Sequence, residues 1–352
     1  MYRGMKMLIL MEKGSCMKKK KLLNWTFGFL LVTGGVTSQN CMAVDLTECM
    51  SEKVQQAAAS MTIGDLRLEC EKELQAGTFK AVEKEEAVVS ERMRQDKEHI
   101  LQPFTLMAHK PNYILLGAHN FYGYESDAYQ EVHGEGSIEA EDTEAQFQIS
   151  MKVPLAVNLF DTVDLYGAYT NRSFWQLYNS SSAPFRETNH EPEGWVQFNP
   201  KWEFWGFTNT SNMIGIVHQS NGRGTTLSRS WNRVYANFIV EKGNLALSFK
   251  PWFRISEDDE DDDNSDITDF LGHSELRVAY KLKEHVFSVM SRNNIESGFE
   301  NGAVELSWSF PIFGYPYFKG YVQYFTGYGE SLIDYDNYVN RIGVGIAVTD
   351  WL

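Results

Sequence analysis

The sequence predicts an all-β protein: a twelve-stranded antiparallel transmembrane β-barrel that follows a partly helical N-terminal extension. From residue 111 onward, segments of about ten residues alternate apolar and polar positions and carry aromatic residues toward their ends, as membrane strands do. After the leader, no apolar run reaches the roughly 18 residues that a membrane-spanning helix needs. Long and short connections also alternate, which is typical of a barrel with one external and one periplasmic rim. A soluble β-sandwich is the alternative.

The first 43 residues have the features of an export signal. Residues 18–21 are lysines, residues 22–36 are largely apolar, and residues 41–43 form an acceptable cleavage site. The position of this pattern predicts translation from Met17 and cleavage after Ala43. A retained anchor is less favoured because the apolar run is short and contains Gly34 and Gly35. Lipid attachment at Cys41 is a minor alternative.

Residues 44–105 differ from the rest in being rich in charge and helix-forming residues. They predict a periplasmic extension that is partly helical. Two cysteines remain here after signal cleavage, Cys49 and Cys70, and in an exported protein such a pair indicates a disulfide. Closing a loop of about twenty residues stabilises a fold by roughly 3 kcal/mol in the chain-entropy model.

The barrel domain is expected over residues 106–352. Its twelve strands are predicted to begin near Asn112, Gln146, Val163, Trp195, Asn212, Ser230, Leu245, Ser274, Val286, Ala303, Phe318 and Asn340. Long connections are expected over residues 126–143, 178–192, 257–270 and 327–336. Several histidines, including His190, fall in predicted loops. The net charge of −15 argues against nucleic acid as a partner.

Residues 214–240 predict a hairpin with chemistry on one face. Side chains alternate along a strand, so His218 and Ser220 share a face with the apolar Ile214 and Ile216. If the loop is centred near residue 225, His218 lies opposite Asn232. Hydroxyl, imidazole and amide then have the layout of a nucleophile, a base and a group that orients the base. The alternative is an ordinary polar pair near a strand end.

The face that carries these residues is predicted to contact lipid. Ile214 and Ile216 are apolar, whereas the residues between them would point into the barrel. Polar groups on a lipid-facing strand are costly unless they are satisfied or functional. A catalytic group there suits a substrate that is itself a membrane lipid, and the loop parity places it near the outer leaflet.

The motif H-Q-S-N-G-R at 218–223, followed by S-R-S-W-N-R at 228–233, resembles the active-site signature of the outer membrane phospholipase A family, the bacterial detergent-resistant phospholipases A1. S-A-P-F-R-E-T-N at 182–189, K-P-W at 250–252 and G-Y-G-E-S-L-I-D-Y at 327–335 are similar to the family as well. The resemblance covers residues 112–352. It implies a calcium-dependent, dimer-activated phospholipase that hydrolyses sn-1 and some sn-2 acyl esters of phospholipids and lysophospholipids.

The resemblance also assigns roles to individual residues. Ser220 is the nucleophile, His218 the base, Asn232 the residue that orients the imidazole, and the Gly222 N–H an oxyanion donor. The implied ligands of Ca²⁺ are oxygen atoms of Arg223 (main-chain carbonyl), Ser228 (hydroxyl) and Ser182 of a second subunit. Asp263 matches a carboxylate of a second calcium site, although Thr225 stands where that site commonly has an aspartate.

Two alternatives remain open. A non-enzymatic porin or adhesin is the rival function, since inward residues such as Arg233 and Tyr235 suit either an open or a filled barrel. The acidic run at 257–263 is either a solvated external loop or a site for divalent cations at the cell surface.

Overall fold

The computed structural model describes residues 49, 53, 63–76, 86–100, 106–125, 127, 130, 139–160, 162–180, 183–258, 262–293 and 297–352. The predicted signal, residues 1–43, and Ser182 lie outside these residues. The chain divides into two compact units, residues 1–83 and 84–352. The boundary between the extension and the barrel domain at residue 106 stays a prediction.

The first unit contains helix α1 (Ile63–Ala76) and the predicted disulfide between Cys49 and Cys70. Lys53 bonds both Glu69 and Glu73 at 2.8 Å. The two carboxylates are one helical turn apart, so a single ammonium group reaches both. A disulfide and a paired lysine therefore hold α1 within this unit.

The second unit is a closed antiparallel barrel, as predicted. Each long strand pairs with the next, and the last pairs with the first. Two strands of two residues, Met107–Ala108 and Glu203–Phe204, extend the sheet. The twelve long strands are β1 (Asn112–Asn120), β2 (Thr143–Leu159), β3 (Val163–Trp175), β4 (Phe185–Phe198), β5 (Phe207–Ser220), β6 (Ser230–Lys242), β7 (Leu245–Ile255), β8 (Ser274–Leu282), β9 (His285–Asn293), β10 (Gly302–Ile312), β11 (Tyr315–Gly327) and β12 (Val339–Thr349).

Strand β4 starts at Phe185 rather than near Trp195, so the prediction of a loop through residue 192 was wrong. A polar stretch that includes Pro192 looks like a loop in the sequence. In the barrel, however, its polar residues meet polar partners inside, as where Lys110 bonds Glu191 at 2.6 Å. Lumen-facing polarity, rather than a turn, explains this composition.

The barrel wall is polar inside and apolar outside. On β5, Ile216 is 63% exposed on the outer surface, whereas its neighbour Val217 is only 3% exposed. The interior also has an aromatic core that contains Trp195, Trp231, Tyr235 and Trp252. The predicted alternation of β5, with isoleucines outward, is confirmed.

Charged pairs fill the lumen toward the rim with long loops. Arg341 donates to Glu330 at 2.6 Å and to Gln323 at 2.7 Å, and Arg172 also reaches Glu330, at 3.0 Å. Arg186 bonds Glu144 and Asp334. Glu330 and Asp334 belong to the loop after β11, so these ion pairs fasten that loop into the barrel.

Helix α2 (Val88–Ile100) lies against the opposite rim, where the tight turns are. Its first N–H groups would otherwise be unsatisfied. Val88 N–H donates to the Gly243 carbonyl at 3.1 Å, and Val89 and Ser90 N–H groups donate to the Glu241 carboxylate at 2.7 and 3.2 Å. The negative charge of Glu241 suits the positive end of the helix. None of the described helices is long and apolar enough to span a membrane.

Candidate active site

The β5–β6 hairpin brings the predicted catalytic side chains together. His218 pairs with Asn232, and Ser220 with Ser230, in the register expected from a loop centred on residue 225. His218 Nδ1 lies 2.9 Å from Asn232 Oδ1. An amide oxygen can only accept, so Nδ1 carries the proton and Nε2 keeps its lone pair. The imidazole is therefore in the tautomer that a base for Ser220 needs.

Asn221 organises the loop that follows Ser220. Its Nδ2 donates to the Leu227 carbonyl at 2.8 Å, and its Oδ1 accepts the N–H groups of Arg223 and Arg229 at 3.2 and 3.1 Å. This bonding leaves Gly222 exposed, with a positive φ of 64° that glycine adopts without strain. No described residue accepts the Gly222 N–H. Within the described part of the chain, a backbone donor without a partner therefore stands two residues from Ser220.

The predicted calcium ligands are partly brought together. Arg223 is held by its side chain, which donates to Glu187 at 3.3 Å and to the Arg186 carbonyl at 2.7 Å. Ser228 is half-buried at the other end of the same loop. Arg223 and Ser228 thus share one short, internally bonded loop, whereas Ser182 lies outside the described residues.

Asp263 lies exposed in the turn before helix α3 (Ile267–Leu271). The next residue, Asn264, accepts the Ser230 N–H at 3.1 Å, which places this turn beside the catalytic hairpin. The described residues contain no cluster of three or more His, Cys, Asp or Glu side chains suited to a metal. Carbonyl, hydroxyl and carboxylate oxygens are nevertheless the donors that Ca²⁺ prefers, so this oxygen set fits calcium rather than a softer metal.

His190 is a neighbour of the site that the sequence did not predict, because it was expected in a loop. It lies on β4 directly across from Ser220. Its Nδ1 is 2.6 Å from the Tyr169 hydroxyl, and its Nε2 is 3.6 Å from where a Cβ of Gly222 would be. A second imidazole therefore borders the space beside the Gly222 N–H.

Glu257 is the other unpredicted neighbour. Asn232 Nδ2 donates to Glu257 Oε1 at 2.8 Å. Farther along the acidic run, Asp262 bonds Arg254 at 2.6 Å. Two residues of the run, Glu257 and Asp262, therefore have protein partners. Neither interaction could be predicted from the sequence, because each joins residues from separate strands and loops.

The loop at 327–335 is held in place by hydrogen bonds to neighbouring elements. Arg292 donates to the carbonyls of Tyr328 and Gly329 at 2.9 and 2.8 Å. Tyr335 donates to Asp266 at 2.5 Å, and burial raises the pKa of Tyr335. The loop thus packs against the turn that carries Asp263 and α3.

Comparison with known proteins identifies the family. The model of the family described as Phospholipase A1 matches residues 89–348. A phospholipase A1 of Klebsiella pneumoniae is 39% identical over 252 residues, which cover 70% of this chain and 84% of the relative. The chain belongs to the phospholipase A1 family. A relative of the same name from Escherichia coli K12 is 38% identical and is covered to 83% of its length. The prediction of a phospholipase enzyme is confirmed.

Solved structures support the same assignment. Outer membrane phospholipase A from Escherichia coli matches with a TM-score of 0.65 at 36% identity, over 71% of this chain and all of that one. The outer membrane phospholipase of Salmonella typhi, a dimer with bound calcium, matches with a TM-score of 0.66 at 36% identity, over 72% of this chain and 96% of that one. Barrel and family together support an outer-membrane location.

Proposed function

We propose that this family member is a calcium-dependent, dimer-activated phospholipase of the outer membrane. It hydrolyses sn-1 acyl esters, and some sn-2 esters, of phospholipids and lysophospholipids. The observation that carries the proposal is the bonded His218–Asn232 pair beside Ser220 on the outward face of β5. A nucleophile on the outer wall of a barrel meets lipid directly.

The chain's own residues supply most of the chemistry. His218 Nε2 takes the Ser220 hydroxyl proton while Ser220 Oγ attacks the ester carbonyl carbon. The oxygen that becomes negative faces the N–H of Gly222. His218 then gives its proton to the leaving alcohol, and a water molecule, activated by the same imidazole, releases the fatty acid. Asn232 holds the imidazole in place throughout.

The predicted calcium site fits this arrangement. Its ligands would be the Arg223 carbonyl, the Ser228 hydroxyl and Ser182 of the partner subunit, and Asp263 would serve a second site. Bound calcium supplies positive charge that stabilises the developing oxyanion. Because the set needs a residue from each subunit, a homodimer is the active form. The bound calcium of the dimeric Salmonella typhi protein supports this proposal.

We place the active site at the outer leaflet. The site lies at the rim with long connections, next to the exposed Ile214 and Ile216. Membrane barrels carry longer loops on the outside than on the periplasmic side. The acyl chain of an outer-membrane lipid can then lie along the apolar wall while its ester reaches Ser220.

The test is fatty-acid release from mixed phospholipid–detergent micelles by the refolded protein, with calcium and with a chelator. We expect release that stops with the chelator and returns when calcium is added back. The rate per molecule should also fall on dilution below the dimerisation range. Release unaffected by chelator would remove the calcium proposal, and release independent of dilution would remove dimer activation.

A further inference from the structure

Glu257 extends the hydrogen-bonded line of catalytic side chains by one residue. Asn232 uses both ends of its amide, Oδ1 toward His218 at 2.9 Å and Nδ2 toward Glu257 at 2.8 Å. The carboxylate comes just after β7, whose last residue, Ile255, pairs with Asn232 in the sheet. The backbone register therefore sets Glu257 beside this amide.

We propose that Glu257 is a positioning residue for the reaction of Ser220, acting through Asn232 and His218. The inference rests on the proposed function. An asparagine side chain can turn over and exchange its oxygen and nitrogen, and only the oxygen can accept the proton-bearing Nδ1 of His218. An ionised carboxylate accepts hydrogen bonds and donates none, so Glu257 holds the nitrogen on its own side. It thereby fixes which end of Asn232 faces the imidazole.

Glu257 also strengthens Asn232, a neutral group, as the hydrogen-bond acceptor for His218. His218 becomes positively charged when it takes the Ser220 proton, and an amide stabilises that charge less than a carboxylate would. An amide that donates to a carboxylate is polarised, and its oxygen becomes a stronger acceptor. Glu257 therefore passes part of the effect of a negative charge to the imidazole without touching it.

The expected effect is modest and confined to turnover. Glu257 acts through one neutral residue, so we expect E257Q to lower kcat by about threefold to tenfold, the size of one indirect hydrogen bond. The glutamine amide can both accept and donate, so it no longer selects one orientation of Asn232. KM should stay unchanged because Glu257 contacts no part of the substrate.

The experiment measures kcat and KM for fatty-acid release from mixed phospholipid–detergent micelles in saturating calcium, normalised to folded protein. E257D keeps an acceptor-only carboxylate and is expected to retain more kcat than E257Q. The matched control is D258N, which removes one charge from the exposed neighbour in the same acidic run and should leave kcat unchanged. In an N232A background, E257Q should have almost no further effect.

Three results would overturn the proposal: E257Q with wild-type kcat, E257D less active than E257Q, or an E257Q loss that is equally large in the N232A background. An equal loss in D258N would assign the effect to the charge of the loop rather than to the contact with Asn232. Failure of the proposed function is distinguishable from these, because it would show as equal release by the wild type and S220A.

Discussion

The lumen and the outer face of the barrel both contain buried or half-buried polar side chains, but they use them differently. In the lumen, Arg341 and Glu330 are buried and bonded to each other, and Tyr235 donates to Glu193 at 2.9 Å. On the outer face, His218 and Ser220 lie beside exposed isoleucines. These lumen residues have protein partners, whereas Ser220 lies on the outward face of β5 beside Ile214 and Ile216.

This difference indicates what each region contributes. Burying the polar groups of the lumen costs free energy that their pairing offsets, so breaking a pair destabilises the barrel. The outer-face cluster stands in an unfavourable place for polar groups on a membrane protein. The His218–Asn232 bond leaves Ser220, the proposed nucleophile, available. We therefore expect substitutions inside to change stability and substitutions outside to change activity.

The largest effect is expected for S220A. The substitution removes the attacking hydroxyl and leaves His218 without a proton to accept. Fatty-acid release should therefore fall on the order of 10⁴-fold. The free energy of unfolding in urea should not change, because Ser220 makes no buried bond in the lumen. Activity is followed by titration of released fatty acid, and retention of calcium-dependent release would contradict the assignment.

The second effect is expected in the lumen. R341M leaves the buried Glu330 with one guanidinium partner instead of two. Loss of one of two charged hydrogen-bond donors to a buried carboxylate should lower the free energy of unfolding by about 1.5–3 kcal/mol. Release per folded barrel should stay near wild type. A variant that is stable but inactive would show that the two regions are not separable in this way.

N232A should give a smaller effect on activity. The substitution removes the hydrogen bond from Asn232 to His218, an imidazole that becomes charged during the reaction. A hydrogen bond to a charged group contributes about 1.5–3 kcal/mol, so kcat should fall roughly 10- to 150-fold. The protein should fold as the wild type does. Fatty-acid release by N232A as low as that by S220A would contradict a role for Asn232 that is limited to orienting His218.

S288A is expected to have the smallest effect and is the matched serine for S220A. Ser288 Oγ lies 2.8 Å from Ser307 Oγ inside the barrel, and both residues are buried. Removing the Ser288 hydroxyl breaks one buried hydrogen bond and should lower the free energy of unfolding by about 1 kcal/mol. Unfolding in urea measures this cost, and fatty-acid release should be unchanged. Loss of fatty-acid release in S288A would show that a lumen serine also affects activity, and would contradict the separation of the two regions.

Features that depend on local periodicity could be predicted from the sequence. The alternation of Ile214, Ile216, His218 and Ser220 set the face, and the midpoint of the hairpin set the pairing with Asn232. Disulfide formation by Cys49 and Cys70 followed from the number of cysteines and the predicted export. These predictions need only the neighbouring strand or a single pair of residues.

Features that depend on distant segments could not be predicted. His190 was expected in a loop because polar lumen residues and Pro192 hid the true start of β4. Glu257 belongs to an acidic run that resembles solvated surface, and its bond to Asn232 exists only when β6 and β7 lie side by side. The position of His190 follows from the register between β4 and β5, and that of Glu257 from the path of the chain after β7. Neither is set by the midpoint of the β5–β6 hairpin.

Covalent labelling tests the central claim, that the outward Ser220 is the activated nucleophile, most directly. The folded protein is treated with an alkyl fluorophosphonate in calcium, and the adduct is located by peptide mass spectrometry. We predict one adduct, on Ser220, with loss of fatty-acid release in proportion to labelling and no adduct in S220A. An adduct on another residue, or full activity after Ser220 is labelled, would contradict the account.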